Sequence, residues 1–452
     1  MSYTGRLILV AALNIAMGIS EGTSQEVMEF SLREAQLYAL EHNYDVVNAL
    51  KDIEIARERV DETISTGLPQ VSGSVNYSNY LEIPTQLIPA EFFPGGERGE
   101  FVAVQFGTQH NATLSAEVTQ MIFNGQYIVG LQASQAYLSL SQTNFEKSQI
   151  EIKNMIATAY YPVIILQENQ VIFDSTLATL DKMLYETREY YQAGFVEDTD
   201  VDQLELLKSD MQTTLTNIDN QLEIARNTLK YLMGLKADQQ IVLTDKVDDL
   251  MQEVDREFLM QSTFDYNNHI DFRLLERQKE LADLQVKLGK TEYYPMINAF
   301  YNYSENAMRN KFNFFASDQN WFTSQLIGLQ MDIPIWSSGN RRHKVQQKKL
   351  ELEKIKVQEE QLKQGLSLRV RTVRSEFNNA YLTYRNREMA LENAERIYDK
   401  TQVKYREGIS TSLELSQTYN QYLSSEIDKL TALQNLLMKK AELEKELTKV
   451  EY

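Results

Sequence analysis

The sequence predicts a mainly α-helical chain with a β-barrel portion, and three observations predict it. Glycine and proline almost vanish from two very long stretches, short segments of period-two alternation stand between them, and the whole arrangement occurs twice. Between Gly125 and Gly194 the only glycine is Gly130 and the only proline is Pro162; between Asn340 and Glu407 only Gly365 intervenes. At 1.5 Å per residue each stretch reaches about 100 Å, far beyond a compact domain, and periods of that length mean coiled coil.

Composition sets the outer limits. Of 452 residues, 43% are hydrophobic and 24% charged, which suits a folded chain and is too rich for disorder. A net charge of −19 lacks the basic footprint that a nucleic-acid partner requires. With no cysteine there are no disulfides, thiolate metal sites or cysteine nucleophiles, and no cysteine for lipid attachment.

Arg6 precedes an apolar stretch from Leu7 to Ile19, followed by small residues. This reads as a secretory signal peptide over 1–24, cleaved near residues 20 to 24. A first helix of the mature fold is the other reading, although Asn14 interrupts the apolar run. No later run reaches the roughly 18 apolar residues of a transmembrane helix, so a membrane location would require a β-barrel.

The duplication organises the rest. A displacement of 226 residues brings Pro69 onto Pro295, Ala56 onto Ala282, Val60 onto Val286 and Asp45 onto Asp271. A displacement of 214 brings Tyr191 and Gly194 onto Tyr405 and Gly408, and Gln203 onto Gln417. Two copies of helix–strand–strand–helix–helix follow, over 25–245 and 246–452. Strands are expected at 70–84, 110–123, 295–304 and 324–336. In the first, Val71, Val75, Tyr77, Leu81 and Ile83 share one face and Ser72, Ser74, Asn76 and Ser78 the other. In the last, Ile327, Leu329, Met331, Ile333 and Ile335 oppose Gln330 and Asp332. Such alternation marks a half-buried strand, in a small soluble sheet or in a bilayer. The smallest membrane barrels have about eight strands, so four per chain must be pooled; three protomers would give about twelve.

Along the last helix Tyr419, Leu423, Ile427, Leu430, Leu437 and Ala441 step as a packed seam. Pro162, at about 3 kcal/mol in a helix interior, predicts a kink. The charged run at 348–363 is either a solvated helix face or a binding patch. His42, His110, His269 and His343 have no metal-ligand spacing and read as surface or capping residues. No phosphate-binding or dinucleotide motif appears, so neither a cofactor nor a catalytic group is expected. Gly194 and Gly408 each supply the left-handed residue that ends a helix, with Thr199 and Thr411 placed to start the returning one.

Several motifs resemble the TolC family of outer-membrane factors over essentially the whole mature chain. FSLREAQLYALEHNYDV (30–46) resembles the family's opening helix, with Tyr44 where proline is usual. MDIPIWSSGNRR (331–342) resembles its strand-to-helix junction, with QMIFNGQ (120–126) as the counterpart that lacks the proline. VRTVRSEFNNAY (370–381) resembles the long helix, and LKYLMGL (229–235) the close of the first repeat. The resemblance implies a homotrimer: a twelve-stranded barrel in the outer membrane of a Gram-negative bacterium and a helical tunnel through the periplasm. It implies a mixed belt that includes Lys236 to Glu257, and a lipid face made by the ten apolar strand residues just named.

The function so implied is a passive exit duct of a tripartite efflux or type I secretion system. Its partners would be a periplasmic adaptor, an inner-membrane transporter and outer-membrane lipid. The helix turns would form the periplasmic aperture and meet the adaptor through Gly194, Phe195, Val196, Gly408, Ile409 and Ser410. Asp200 and Glu414 match the family's constriction acids, Gln417 stands where another acid is common, and Glu197, Asp198 and Asp202 add charge nearby. Acids in a first helical turn also meet the helix dipole, and the two roles are compatible. A soluble periplasmic coiled-coil adaptor or scaffold is the competing reading. It leaves four amphipathic strands without a purpose.

Overall fold

The structure, a computed structural model, describes residues 27–252 and 254–448. The expected signal peptide, 1–24, lies outside the described residues. Its first elements are β1 (Met28–Phe30), α1 (Leu32–His42) and α2 (Tyr44–Thr66), followed by β2 (Gln70–Asn79), β3 (Thr85–Pro89), β4 (Phe101–Gln105) and β5 (His110–Asn124). The first long hairpin, α3 (Gly125–Gln192) and α4 (Asp198–Met233), leads through β6 (Ile241–Leu243), α5 (Val247–Gln252) and α6 (Arg256–Gln261) to α7 (Ile270–Thr291). β7 (Met296–Arg309), β8 (Phe322–Asp332), α8 (Asn340–Arg406) and α9 (Ser412–Leu447) complete the chain.

Contacts divide the chain into two compact units. The first draws on the chain up to Ala39, on Ile156–Glu253 and on Leu391–Gln434; the second takes Leu40–Met155, Val254–Ala390 and the chain from Asn435. Neither coincides with a repeat copy: in the first unit Leu180, Leu184 and Leu204 of the first copy pack with Tyr398 and Tyr419 of the second.

In the second unit β2, β5, β7 and β8 form one antiparallel sheet in that order, with β2 and β8 as its open edges. Register puts Ser74 opposite Ser115, Thr113 opposite Asn306 and Asn302 opposite both Glu117 and Leu326. These polar side chains hydrogen-bond across one face. Ser74 and Ser115 hydroxyls lie 2.7 Å apart, Thr113 Oγ1 donates to Asn306 at 2.9 Å, and Asn302 Nδ2 donates to Glu117 at 3.2 Å. The other face carries Val71, Val75, Ile327 and Leu329, between 73% and 80% exposed. So large an apolar face on an open-edged sheet is unstable in water.

Two strand ends differ from the sequence reading, the second of them at a proline. β2 stops at Asn79, and the chain bends at Leu81 and Glu82 before Pro84, so Leu81 and Ile83 lie outside the strand. β8 stops at Asp332 before Pro334, which leaves Ile333 and Ile335 beyond it. Proline has no N–H to give a ladder. β7 runs on to Arg309 rather than 304, and the β3–β4 hairpin was not expected. Its turn lies at Pro94-Gly95-Gly96, a punctuation the sequence does carry.

The first unit rests on helix packing and a small belt. β1 pairs parallel with β6, and buried Tyr160 donates its hydroxyl to Phe30 O at 3.0 Å. Asp245 accepts from Leu32 N at 2.7 Å, which ties the start of α1 to the residue just past β6. Buried Tyr160, Tyr161, Val163, Ile164 and Ile165 carry α3 unbroken through Pro162. Here the seam of α9 buries Tyr419, Leu423 and Leu430, with Ile427 half-buried, while Leu437 and Ala441 are buried in the second unit. The Gly of LKYLMGL, Gly234, closes α4 at φ +78°, with Leu235 N bonded to Lys230 O at 2.9 Å.

Candidate functional site

The two helix turns are built alike. After α3, Gly194 takes φ +79°, its N–H reaches Tyr191 O at 3.0 Å, and Phe195 N reaches Tyr190 O at 2.9 Å. After α8, Gly408 takes φ +71°, its N–H reaches Tyr405 O at 3.0 Å, and Ile409 N reaches Lys404 O at 2.8 Å. Each is the glycine closure that satisfies the last carbonyls of a helix. A Cβ at either glycine would meet no atom within 4 Å, so only the left-handed backbone demands the residue. The turns present bare apolar tips: Phe195 is 79% exposed and Ile409 75%, beside half-buried Val196 and Ser410.

The returning helices begin differently from each other. Thr411 starts α9 as expected, accepting from Glu414 N at 3.2 Å. Thr199 does not start α4. It sits inside the first turn, because Glu197 is the N-cap and forms a capping box with Asp200. Asp200 Oδ2 accepts from Glu197 N at 3.1 Å, and its Oδ1 accepts a short hydrogen bond from the hydroxyl of Ser412. One carboxylate thus secures its own helix start and ties it to the start of α9. Ser412, buried at the second turn, was not singled out in the sequence; only its place one residue after Thr411 distinguishes it.

Glu414 is held more loosely, accepting from the Ser410 hydroxyl at 2.6 Å. Both Glu414 and Gln417 are exposed. Of the three residues expected at the constriction, one is therefore a structural tie and two remain open to solvent.

Along the same unit Tyr398 stacks near Tyr419 and Tyr422, with ring centroids 5.0 and 5.8 Å away. Leu180, Leu184 and Leu204 complete this core. Burial pushes the Tyr398 and Tyr419 phenols up, and burial together with the Glu426 charge pushes Tyr422 to about 12. These hydroxyls stay protonated at any physiological pH. Burial also raises the carboxyl of Glu426, which lines a cleft of about 400 Å³ with Glu168, Asp245, Asp248 and Lys429.

His269 caps α7 by accepting from Asp271 N at 3.2 Å, and His110 lies 2.9 Å from the Tyr77 hydroxyl. Among the described residues there is no cluster of three or more side chains able to hold a metal. No described helix is long and apolar enough to cross a membrane.

Comparison with known proteins adds a family and a fold. A family model described as outer membrane efflux protein matches residues 38–235 and 266–447. No curated protein matches the chain. Among solved structures, the outer membrane protein VceC of Vibrio cholerae is similar with a TM-score of 0.67 at 15% identity, over 92% of this chain and 95% of that one. The CmeC outer membrane channel of Campylobacter jejuni gives 0.69 at 16%, over 97% and 94%. The open state of the MtrE outer membrane channel of Neisseria gonorrhoeae gives 0.67 at 16%, over 99% and 97%.

Proposed function

Because this chain belongs to the outer membrane efflux protein family, we propose that three copies of it form the passive exit duct of a tripartite efflux or type I secretion system. The family is one of outer-membrane efflux proteins, which supports a reading with the apolar sheet face in lipid and the long helices in the periplasm. The observation that carries the duct reading is the four-stranded sheet, mainly polar on one face and mainly apolar on the other, where Glu305 is held by Tyr303 and Thr323, with both edges open. Three such sheets joined edge to edge would close a barrel with the hydrogen-bonded polar face inward. A soluble scaffold has no use for that arrangement.

In this reading cargo arrives from an inner-membrane transporter through a periplasmic adaptor, and the chain supplies a passage rather than chemistry. The tips Phe195 and Ile409, with Gly194, Val196, Gly408 and Ser410, form the adaptor contact. Glu414 and Gln417 face the narrow end of the passage, and Asp200 holds the two turns together in the closed form. A ring of three Glu414 carboxylates would concentrate cations there.

Recording from the purified protein in planar bilayers tests these roles. Glu414→Gln should raise the magnesium concentration needed to block the pore by about tenfold, the scale on which charged clefts enrich counter-ions. Asp200→Ala should raise the resting conductance, because the tie to Ser412 is lost. Unchanged block and unchanged conductance would remove both assignments.

A further inference from the structure

The segment that leaves β8 concentrates positive charge that the duct itself does not require. Arg341, Arg342, Lys344, Lys348 and Lys349 fall within nine residues, with no acid before Glu351, in a chain of net charge −19. They occupy the first turns of α8, which hold no acidic residue and where the helix dipole disfavours cations. The duplication supplies an internal control. At the matching junction, where β5 leads into α3, there is no charged residue from Gly125 to Phe145. A strand-to-helix junction of this fold therefore does not need these charges.

Just before them stand Ile333, Ile335 and Trp336, which are 61%, 90% and 84% exposed. They continue the apolar face of β8 past its end. Exposed Tyr293 and Tyr294 lie at the neighbouring junction between α7 and β7. Arg341 is fixed in place, donating to Pro334 O at 2.8 Å with its guanidinium 5.4 Å from the centre of the Tyr293 ring. Lys344 pairs with Glu292 at 3.2 Å and Lys348 with Glu351 at 2.9 Å. Arg342 and Lys349 are exposed and make no ion pair among the described residues. Seven residues apart, they lie on one line of the helix about 10 Å from each other.

We propose that this patch binds the phosphate headgroups of anionic phospholipid in the periplasmic leaflet of the outer membrane. Arg342 and Lys349 supply the charge, while Ile335 and Trp336 sit at the boundary of the acyl chains. Tryptophan favours that boundary, and basic residues beside it attract anionic lipid. Charge complementarity selects anionic over zwitterionic lipid. Continuity with the apolar sheet face selects lipid over an acidic protein. The inference rests on the outer-membrane reading of the sheet.

Native mass spectrometry of the full-length protein in neutral detergent, titrated with phosphatidylglycerol or phosphatidylethanolamine, tests it. Phosphatidylglycerol should bind about thirtyfold more tightly, the contribution expected of two basic residues near a membrane surface. The double variant R342Q/K349Q should bring the two lipids to within about twofold of each other. K354Q/K356Q, which removes two charges farther along the same helix, should keep the preference. Equal binding by the unaltered protein, a preference that survives R342Q/K349Q, or an equal loss in K354Q/K356Q would overturn the proposal. Channel recordings on the same preparations separate the two levels. A protein that conducts yet shows no lipid preference fails this inference alone, and one that does not conduct fails the duct reading with it.

Discussion

Arginine in place of Ile327 should abolish recovery of the protein in the outer membrane. Ile327 stands midway along β8, opposite Tyr301, and is 80% exposed on the apolar face. A basic residue at the bilayer midplane of a membrane barrel costs about 2–4 kcal/mol. Three copies would carry that cost at once in a trimer, enough to consume most of an ordinary protein's stability of about 5–15 kcal/mol. The partner variant is Ser74→Arg, one face over, where the exposed hydroxyl meets that of Ser115. It should assemble in near-normal amounts, because a polar lumen accepts charge. Outer-membrane fractions from cells expressing each variant give the answer. Equal recovery of the two would mean that the faces have been assigned the wrong environments.

Tyr160→Ala should cost about 3–5 kcal/mol, the range for removing a buried aromatic ring. The ring is fully buried and its hydroxyl donates to Phe30 O, so truncation leaves a cavity and removes one of the two hydrogen bonds that this carbonyl accepts, the other coming from Thr244 N at 3.1 Å. β1 pairs with β6 through three residues, and its buried Phe30 meets the Tyr38 ring 5.4 Å away. Tyr160→Phe keeps the ring and should lose about 0.5–1.5 kcal/mol, the net value of one hydrogen bond. Urea unfolding followed by helical circular dichroism distinguishes them. Equal losses in the two variants would show that the hydroxyl, not the ring, anchors the belt.

Much of this fold is legible in the chain because its signals are local. The long helices are written in the absence of glycine and proline, and the α9 seam in residues such as Tyr419, Leu423 and Leu430. The two turns are legible for the same reason, since a left-handed closure needs glycine at one position whatever surrounds it. Strand ends were harder to read, because apolar alternation continues through Leu81, Ile83, Ile333 and Ile335 after the ladder has stopped. Pro334 outranks the pattern in the last strand, whereas the first ladder stops at Asn79, where its partner β5 begins at His110. The β1–β6 pair was not visible: three residues at each end of a long sequence separation carry no periodic signal.

At the candidate site the division is similar. Gly194, Gly408 and the tip residues could be placed from spacing alone. The tie between Asp200 and Ser412 could not, because the partners are 212 residues apart and meet only when the two hairpins pack. The family resemblance alone implies an aperture role for Asp200; the structure shows its carboxylate in a hydrogen-bonding duty. Thr199 shows the converse error, a residue type suited to capping that is displaced by Glu197 two positions earlier.

The chain contains no cysteine, so a single introduced thiol is the only target for a thiol reagent. Single-channel recordings in planar bilayers, with a membrane-impermeant reagent added to Ser74→Cys or Val75→Cys protein, bear directly on the central claim. A duct of three chains with Ser74 in its lumen predicts current falling in three equal steps for Ser74→Cys and no change for Val75→Cys. A response at Val75→Cys instead of Ser74→Cys, or a number of steps other than three, would contradict it.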